Sequence, residues 1–269
     1  MKLAYFLKDS LLRQDAKLVG LLDRLRAAGF DLYEINDASL MQPGTDMLLS
    51  LGGDGTFLSA AAISMESSVP VLGVNFGRLG FLSENRPEDV PAALASRDYS
   101  IIRRGLVKAW GWEEGKDPVL SLNEVGVMRR GAAMLGVDLS VDGLQLPTYW
   151  ADGLIIATAS GSTAYSLSVG GPICTPDSRV LIIAPVSPHN LNIRPLIVPD
   201  TAALSISFRS RDPQVLLTMD NRRYDISADS RIEVRAVPEA LQRVVLGGSN
   251  FIGALRSRLH WGSDLRNQE

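Results

Sequence analysis

At Gly52-Gly53-Asp54-Gly55, three glycines and one carboxylate are squeezed between two apolar runs. Met47 to Leu51 reads as a buried strand and Phe57 to Ile63 as the start of a helix. Glycine accepts positive φ and puts no side chain in the way. A polyanion can therefore approach the bare backbone, with N–H groups and the following helix N-terminus directed at it. A carboxylate here would repel phosphate unless it meets a hydroxyl or a metal ion while its neighbours hold the phosphates. That combination sketches phosphoryl transfer to an alcohol. The same residues also suit a plain strand-to-helix turn with Asp54 helping to cap the helix. The corner alone leaves both readings open.

The corner lies within a strand–helix rhythm. Leu3 to Leu7 reads as a strand, Leu18, Leu21, Leu22 and Leu25 recur at helical spacing, and Gly29 is a stop signal. Strands follow at Phe30 to Glu34 and at Met47 to Leu51, then a helix over Thr56 to Met65. Pro70 to Val74 is a further strand, closing on Asn75-Phe76-Gly77. This alternation predicts an α/β, doubly wound, mostly parallel Rossmann-like sheet. Ligands bind such sheets at the carboxyl ends of the strands, where Gly52 to Gly55 and Asn75 to Gly77 both fall.

Near residue 100 the pattern changes. Ile101 to Trp110, Val119 to Met128, Leu135 to Val141 and Gly153 to Thr158 read as strands separated by turn signals. So do Val180 to Ala184, Ala203 to Phe208, Val215 to Met219 and Arg231 to Val237, with Thr163 to Ser168 the main helical exception. The expectation is an α/β domain over 1–99 and an antiparallel, all-β sandwich over 100–249. A short helix within Phe251 to Leu265 is expected to return residues 250–269 to the first domain.

Composition narrows the functional classes. Formal net charge is −3 and the pI about 5.5, so no basic excess argues for nucleic acid as the main partner. Arg209, Arg211, Arg222, Arg223, Arg231 and Arg235 cluster late in the chain and read as a solvated sheet face, with contact of some of them to phosphates as the alternative. Cys174 is the one cysteine, so no intrachain disulfide forms; with no signal peptide read, the expected location is cytoplasmic. His189 and His260 are too few for a histidine-rich metal site. No apolar run approaches the ~20 residues that cross a membrane.

Two further constellations carry polar chemistry. Asn123-Glu124 interrupts an apolar run, Leu120-Ser121-Leu122 before it and Val125-Gly126-Val127 after it. Buried polar groups there need partners; the pair either grips a ligand rich in hydroxyls and amide edges or marks a strand end in water. Trp150-Ala151-Asp152-Gly153 leads into Leu154 to Thr158 and then a run of small and hydroxylated residues, Ala159 to Ser168, followed by Gly170-Gly171-Pro172. Small residues let backbone meet ligand, and hydroxyls both donate and accept. Asp152 has the chemistry to accept from ribose hydroxyls or an exocyclic amine.

Taken together, these motifs resemble those of the NAD kinase family, enzymes that phosphorylate the adenosine-ribose 2′-hydroxyl of NAD to give NADP. The resemblance covers nearly the whole chain. It rests on Gly52 to Thr56, Gly73-Val74-Asn75-Phe76-Gly77-Arg78-Leu79-Gly80-Phe81-Leu82 and Asn123-Glu124. It continues through Ala151-Asp152-Gly153, Gly161 to Ser168 and Arg194-Pro195-Leu196. The glycine corner is shared with diacylglycerol-type lipid kinases and loosely with phosphofructokinases; the long Gly161 to Ser168 motif is far more selective.

The resemblance implies roles. Asp54 is the general base for the 2′-hydroxyl, with orienting that hydroxyl or holding Mg²⁺ as alternative roles. Gly52, Gly53, Gly55 and Thr56 cradle the donor phosphates, and Mg²⁺ rides on those phosphates rather than on a protein metal site. The NAD-binding set is Asp54, Gly55, Phe76, Asn123, Glu124, Asp152, Thr163, Ala164, Tyr165, Ser166, Leu167 and Ser168. Phe76 either stacks on adenine or seals the sheet, and Tyr165 either closes on the ligand or is a core tyrosine. The α/β domain binds the donor; the β domain binds NAD and builds a homodimer or homotetramer. The donor is ATP or inorganic polyphosphate.

The chain departs from the family pattern in places. Thr158-Ala159-Ser160 stands where Thr-Pro-Thr is usual, which frees one φ angle. Trp150 stands where arginine is often found, and Met219-Asp220-Asn221 resembles the family's Asp-Gly or Asp-Ser turn. Two rivals remain: a lipid kinase, which needs an apolar acyl pocket, and a nucleotide-sensing module, which binds without turnover.

Overall fold

The computed structural model describes residues 1–77 and 80–261. Arg78 and Leu79 of the Gly73 to Leu82 motif, and the part of the expected tail from 262 onwards, lie outside the described residues. In chain order, strand β1 (Lys2–Leu7) leads to helix α1 (Ala16–Ala27), then β2 (Asp31–Ile35), β3 (Met47–Leu51), α2 (Asp54–Ser67), β4 (Val71–Val74) and α3 (Val90–Ser96). Next come β5 (Tyr99–Trp110), β6 (Val119–Ser121), β7 (Glu124–Arg129), β8 (Leu135–Val141), β9 (Leu144–Gln145), β10 (Tyr149–Ala151) and β11 (Gly153–Thr158). After the short helix α4 (Tyr165–Ser168) follow β12 (Val180–Val186), β13 (Leu196–Pro199), β14 (Leu204–Arg209), β15 (Gln214–Met219) and β16 (Arg222–Ser227). Strand β17 (Ile232–Leu246) and helix α5 (Phe251–Leu259) complete the described chain. It divides into two compact units, Met1–Arg103 with Leu241–Glu269, and Arg104–Ala240.

In the first unit the strands run β4-β3-β1-β2, all parallel, and the end of β17 joins β4 with Arg243 opposite Val71. Strands β3 and β4 are buried at every residue, as parallel strands covered on both faces must be. Helix α1 buries Leu18, Leu21 and Leu25, which meet Leu49, Leu72 and Val244 in one apolar cluster. It starts on Asp15, whose side chain accepts from the Lys17 N–H, and stops at Gly29 with φ +83°. Strand β3 feeds directly into α2, which sets the glycine corner at the carboxyl end of a central strand.

The second unit is an antiparallel sandwich. One sheet runs β13-β12-β11-β7-β15-β16. It faces a second made of β10, β8, β14 and the first part of β17. Val125, Ile156, Ile183 and Leu217 from the one meet Val137, Leu139, Ile206 and Val234 from the other. The first sheet's outer face also packs, Ile155, Ala157, Ile182 and Ala184 lying with Val169 and Cys174. Burial on both faces is why β11 is an unbroken apolar run.

The architecture is the expected α/β plus all-β fold, with differences of detail. The run Val119 to Met128 is two strands, not one. It breaks at Leu122-Asn123 because the Asp220 carboxylate takes the backbone N–H groups of Leu122, Asn123 and Glu124. Strands β9, β10, β13 and β16 and helix α3 had no legible pattern, being short or half-exposed. No helix among the described residues is long and apolar enough to cross a membrane.

Candidate active site

The glycine corner is built in the first unit. Gly52 holds φ +154°, a conformation left in practice to glycine, and a Cβ there would run into the Thr56 side chain. Gly53 precedes α2 as its cap, its carbonyl accepting from the N–H groups of Thr56 and Phe57 at 3.0 Å each. Asp54 is therefore the first helical residue, and the positive end of the helix dipole is directed at the corner.

Asp54 turns its carboxylate to the loop that follows β4. Its Oδ2 accepts from Phe81 N at 2.8 Å, and its Oδ1 accepts from Leu82 N at 3.0 Å and Ser83 N at 2.8 Å. An ionised carboxylate offers about four lone-pair sites, so these donors leave one, on Oδ2. Gly80 lies flush against the carboxylate, where any Cβ would collide. The loop is stitched further: Asn75 Nδ2 donates to Ser83 O at 3.0 Å and Asn85 Nδ2 donates to Gly73 O at 2.8 Å. From β17 the buried Arg243 sends Nη2 to Phe81 O at 3.2 Å, Leu82 O at 3.0 Å and Glu84 Oε1 at 2.7 Å. Phe76 is half-buried and packs on the unit's apolar cluster.

A second polar constellation lies in the other unit, at the break between β6 and β7. Asp220, at φ +52° in the β15–β16 turn, accepts from Leu122 N and Asn123 N at 2.8 Å each and from Glu124 N at 3.3 Å. Glu124 is 8% exposed, and its Oε2 is buried without a partner among the described residues. Its pKa is pushed up to about 8, by burial first and by Asp220's charge second, against a hydrogen bond from the Tyr165 backbone. Burial pushes Asp220 upward as well, opposed by the three N–H bonds and by Arg222. Of the pair, Glu124 keeps the proton at neutral pH, because Asp220's oxygens already meet N–H donors.

The hydroxyl-rich segment is locked to the same break. Thr158 N donates to Asn123 O at 2.8 Å, Thr158 Oγ1 donates to Leu122 O at 2.6 Å, and Gly161 N donates to Thr158 Oγ1 at 3.0 Å. Gly161 abuts the Asn123 backbone so closely that a Cβ would strike it. Ala159 holds φ −58°, the value a proline ring would impose, so the turn keeps its shape without one. Thr163 and Ala164 are half-buried, Ser166 is fully buried with its Oγ unpartnered among the described residues, Leu167 is half-buried and Ser168 is exposed. Tyr165 is 42% exposed, which removes the core-tyrosine reading.

Asp152 is half-exposed and paired with Arg129, Nε to Oδ1 at 2.7 Å. Sequence reasoning missed Arg129, Asp220 as the anchor of 122–124, and Arg243. Arg243 did carry a signal, a charge in the apolar run Leu241 to Leu246. Among the described residues no three His, Cys, Asp or Glu side chains converge as a metal site.

A carboxylate fixed at a glycine corner, beside the start of a helix and at the end of a parallel strand, has the chemistry that a phosphotransferase acting on an alcohol requires. Comparison with known proteins gives the particular family. Residues 31–97 match the family model of the ATP-NAD kinase N-terminal domain, and residues 122–246 that of the ATP-NAD kinase C-terminal domain. The chain is 38% identical over 229 residues to an NAD kinase of Flavobacterium psychrophilum, covering 82% of this chain and 78% of that one. It is 35% identical over 287 residues to an NAD kinase of Porphyromonas gingivalis, covering 98% and 99%. Among solved structures, an Archaeoglobus fulgidus NAD kinase in complex with ATP superposes with a TM-score of 0.76 at 25% identity, covering 96% of this chain and 99% of that one. Yeast NADH kinase complexed with NADH shares the fold with a TM-score of 0.85 at 22% identity, covering 100% and 90%. The chain belongs to the NAD kinase family, whose members phosphorylate NAD to NADP.

Proposed function

We propose that this chain transfers the terminal phosphoryl group of ATP to the 2′-hydroxyl of the adenosine ribose of NAD, giving NADP. The observation that carries the residue assignment is the Asp54 carboxylate, held by three backbone N–H groups with one lone pair on Oδ2 to spare. In this reading Asp54 accepts the hydroxyl proton as general base. Gly52, Gly53, Gly55 and Thr56 take the donor phosphates at the start of α2. Asn123, Glu124, Asp152 and the segment 163–168 hold NAD, Phe76 contributes an aromatic face, and Gly55 joins Asp54 against the ribose.

Mg²⁺ fits this donor set as a passenger on the phosphates. Asp54 has too few unused lone pairs to chelate, and Mg²⁺ commonly binds one or two carboxylates plus substrate phosphates. When bound it neutralises phosphate charge and aligns the donor. Inorganic polyphosphate offers the same terminal chemistry as ATP. The first unit is the donor-binding domain; the second binds NAD and carries the contacts of a homodimer or homotetramer. The lone Cys174 suits a cytoplasmic setting, and neither nucleic acid nor membrane is a partner in this reading.

The test is NADP formation from NAD, ATP and Mg²⁺, with diacylglycerol offered in parallel. NADP should accumulate and the lipid should stay unlabelled. Labelled lipid without NADP would turn the assignment to a lipid kinase. NAD binding without turnover would turn it to a sensing module.

A further inference from the structure

Helix α5 carries two arginines in its last turn, Arg256 and Arg258. Arg256 is exposed, as a cation at a helix C-terminus ordinarily is. Arg258 is not: 11% of its side chain is exposed, and its guanidinium lies 5.2 Å from the centre of the Phe81 ring. Its ion pair is a long one, Nη2 to Glu84 Oε2 at 3.6 Å, while Glu84 Oε1 is held by Arg243 at 2.7 Å. Its Nε and Nη1 are buried with no hydrogen-bond partner among the described residues.

A buried cation with unmet donors is costly, and in native proteins such a group calls for a ligand, a water or a catalytic role. The surroundings say which. Phe81, under the guanidinium, is the residue whose N–H binds Asp54 Oδ2. Asp54 is itself among the charges that act on Arg258. The guanidinium thus packs on the same Phe81 loop that holds Asp54 at the glycine corner, the corner that faces phosphate in the proposed reaction. Guanidinium donors match phosphate oxygens in geometry and charge.

Building on the proposed phosphoryl transfer, we infer that Arg258 binds the terminal phosphate of the donor. Its Nε and Nη1 donate to the phosphate oxygens next to Asp54. In the step itself the ribose O2′ forms a bond to the γ-phosphorus and the bond from that phosphorus to the ADP oxygen breaks. ADP leaves with the electron pair, the hydroxyl proton goes to Asp54, and Arg258 makes and breaks no covalent bond. It holds charge that the ADP product lacks.

The experiment titrates MgATP, MgADP and NAD separately into the wild type, Arg258→Gln and Arg258→Lys, and measures NADP formation alongside. Hydrogen bonds to charged groups contribute about 1.5–3 kcal/mol, so Arg258→Gln should lose about 10- to 100-fold in ATP affinity. ADP and NAD affinities should stay near wild type, kcat should fall, and lysine should recover part of the loss. Wild-type ATP affinity and kcat in Arg258→Gln would overturn the inference. So would an equal loss for ATP, ADP and NAD, which marks a helix clamp. If Arg258→Gln does not fold, Arg258→Lys carries the same comparison. A wild-type protein that makes no NADP fails the proposed function, while the ATP-to-ADP comparison still decides Arg258.

Discussion

Asp54 and Arg243 grip the same short loop by opposite backbone groups. The carboxylate takes the N–H groups of Phe81, Leu82 and Ser83, and the guanidinium takes the carbonyls of Phe81 and Leu82. A side chain fixed this way cannot swing, and fixed geometry is what a proton acceptor in phosphoryl transfer needs.

Gly80 tests that fixing. A Cβ at 80 would collide with the Asp54 carboxylate, so Gly80→Ala must push the carboxylate or the loop aside. A displacement near 1 Å can cost about 10²-fold in rate. We expect kcat to fall by roughly that much with NAD affinity unchanged, measured by steady-state kinetics and NAD titration. Unchanged kcat would mean that the Asp54 position is not rate-determining.

Glu124 makes stability depend on pH. Its pKa rises from the ordinary glutamate value of 4.5 to about 8 in the folded chain. Below 4.5 both folded and unfolded chains hold the proton. Between 4.5 and about 8 the unfolded chain has lost a proton that the native state keeps, so rising pH favours unfolding. Glu124→Gln removes this dependence, and its melting temperature should gain on wild type between pH ~5 and ~8. A constant difference across that range would mean that native Glu124 is ionised.

Much of the fold was readable because its strands are long, apolar and closed by glycines. Asp54 stood out in the sequence as a carboxylate among glycines, a pattern that by itself suits a helix cap as well as a reacting group. What it touches was not readable: the Phe81 to Ser83 amides lie 27 to 29 residues away, and no local pattern encodes which loop a side chain reaches. Asp220 was hidden for the same reason, 96 to 98 residues from the N–H groups it binds. The missing proline was readable as a departure, but its consequence needed the backbone angle.

Ala159 already sits at φ −58°, directly after the extended strand β11. Both positions suit proline and its predecessor. Ala159→Pro should therefore stabilise the protein by about 0.4–1 kcal/mol through the unfolded chain, read from a denaturant midpoint. Destabilisation would show that the Ala159 N–H has a partner that proline removes.

The proposed reaction turns on Asp54 taking the proton of the NAD hydroxyl. Asp54→Asn keeps the size and two of the loop contacts while removing the basic oxygen. It also points an amide at the Phe81 N–H, so its melting temperature should drop and has to be recorded beside the kinetics. The decisive quantity is kcat for NADP formation at saturating ATP and NAD, with NAD affinity measured in parallel. We predict a loss of about 10² to 10⁴ in kcat with near wild-type NAD affinity. A folded Asp54→Asn protein that turns over at the wild-type rate would remove Asp54 from the chemistry.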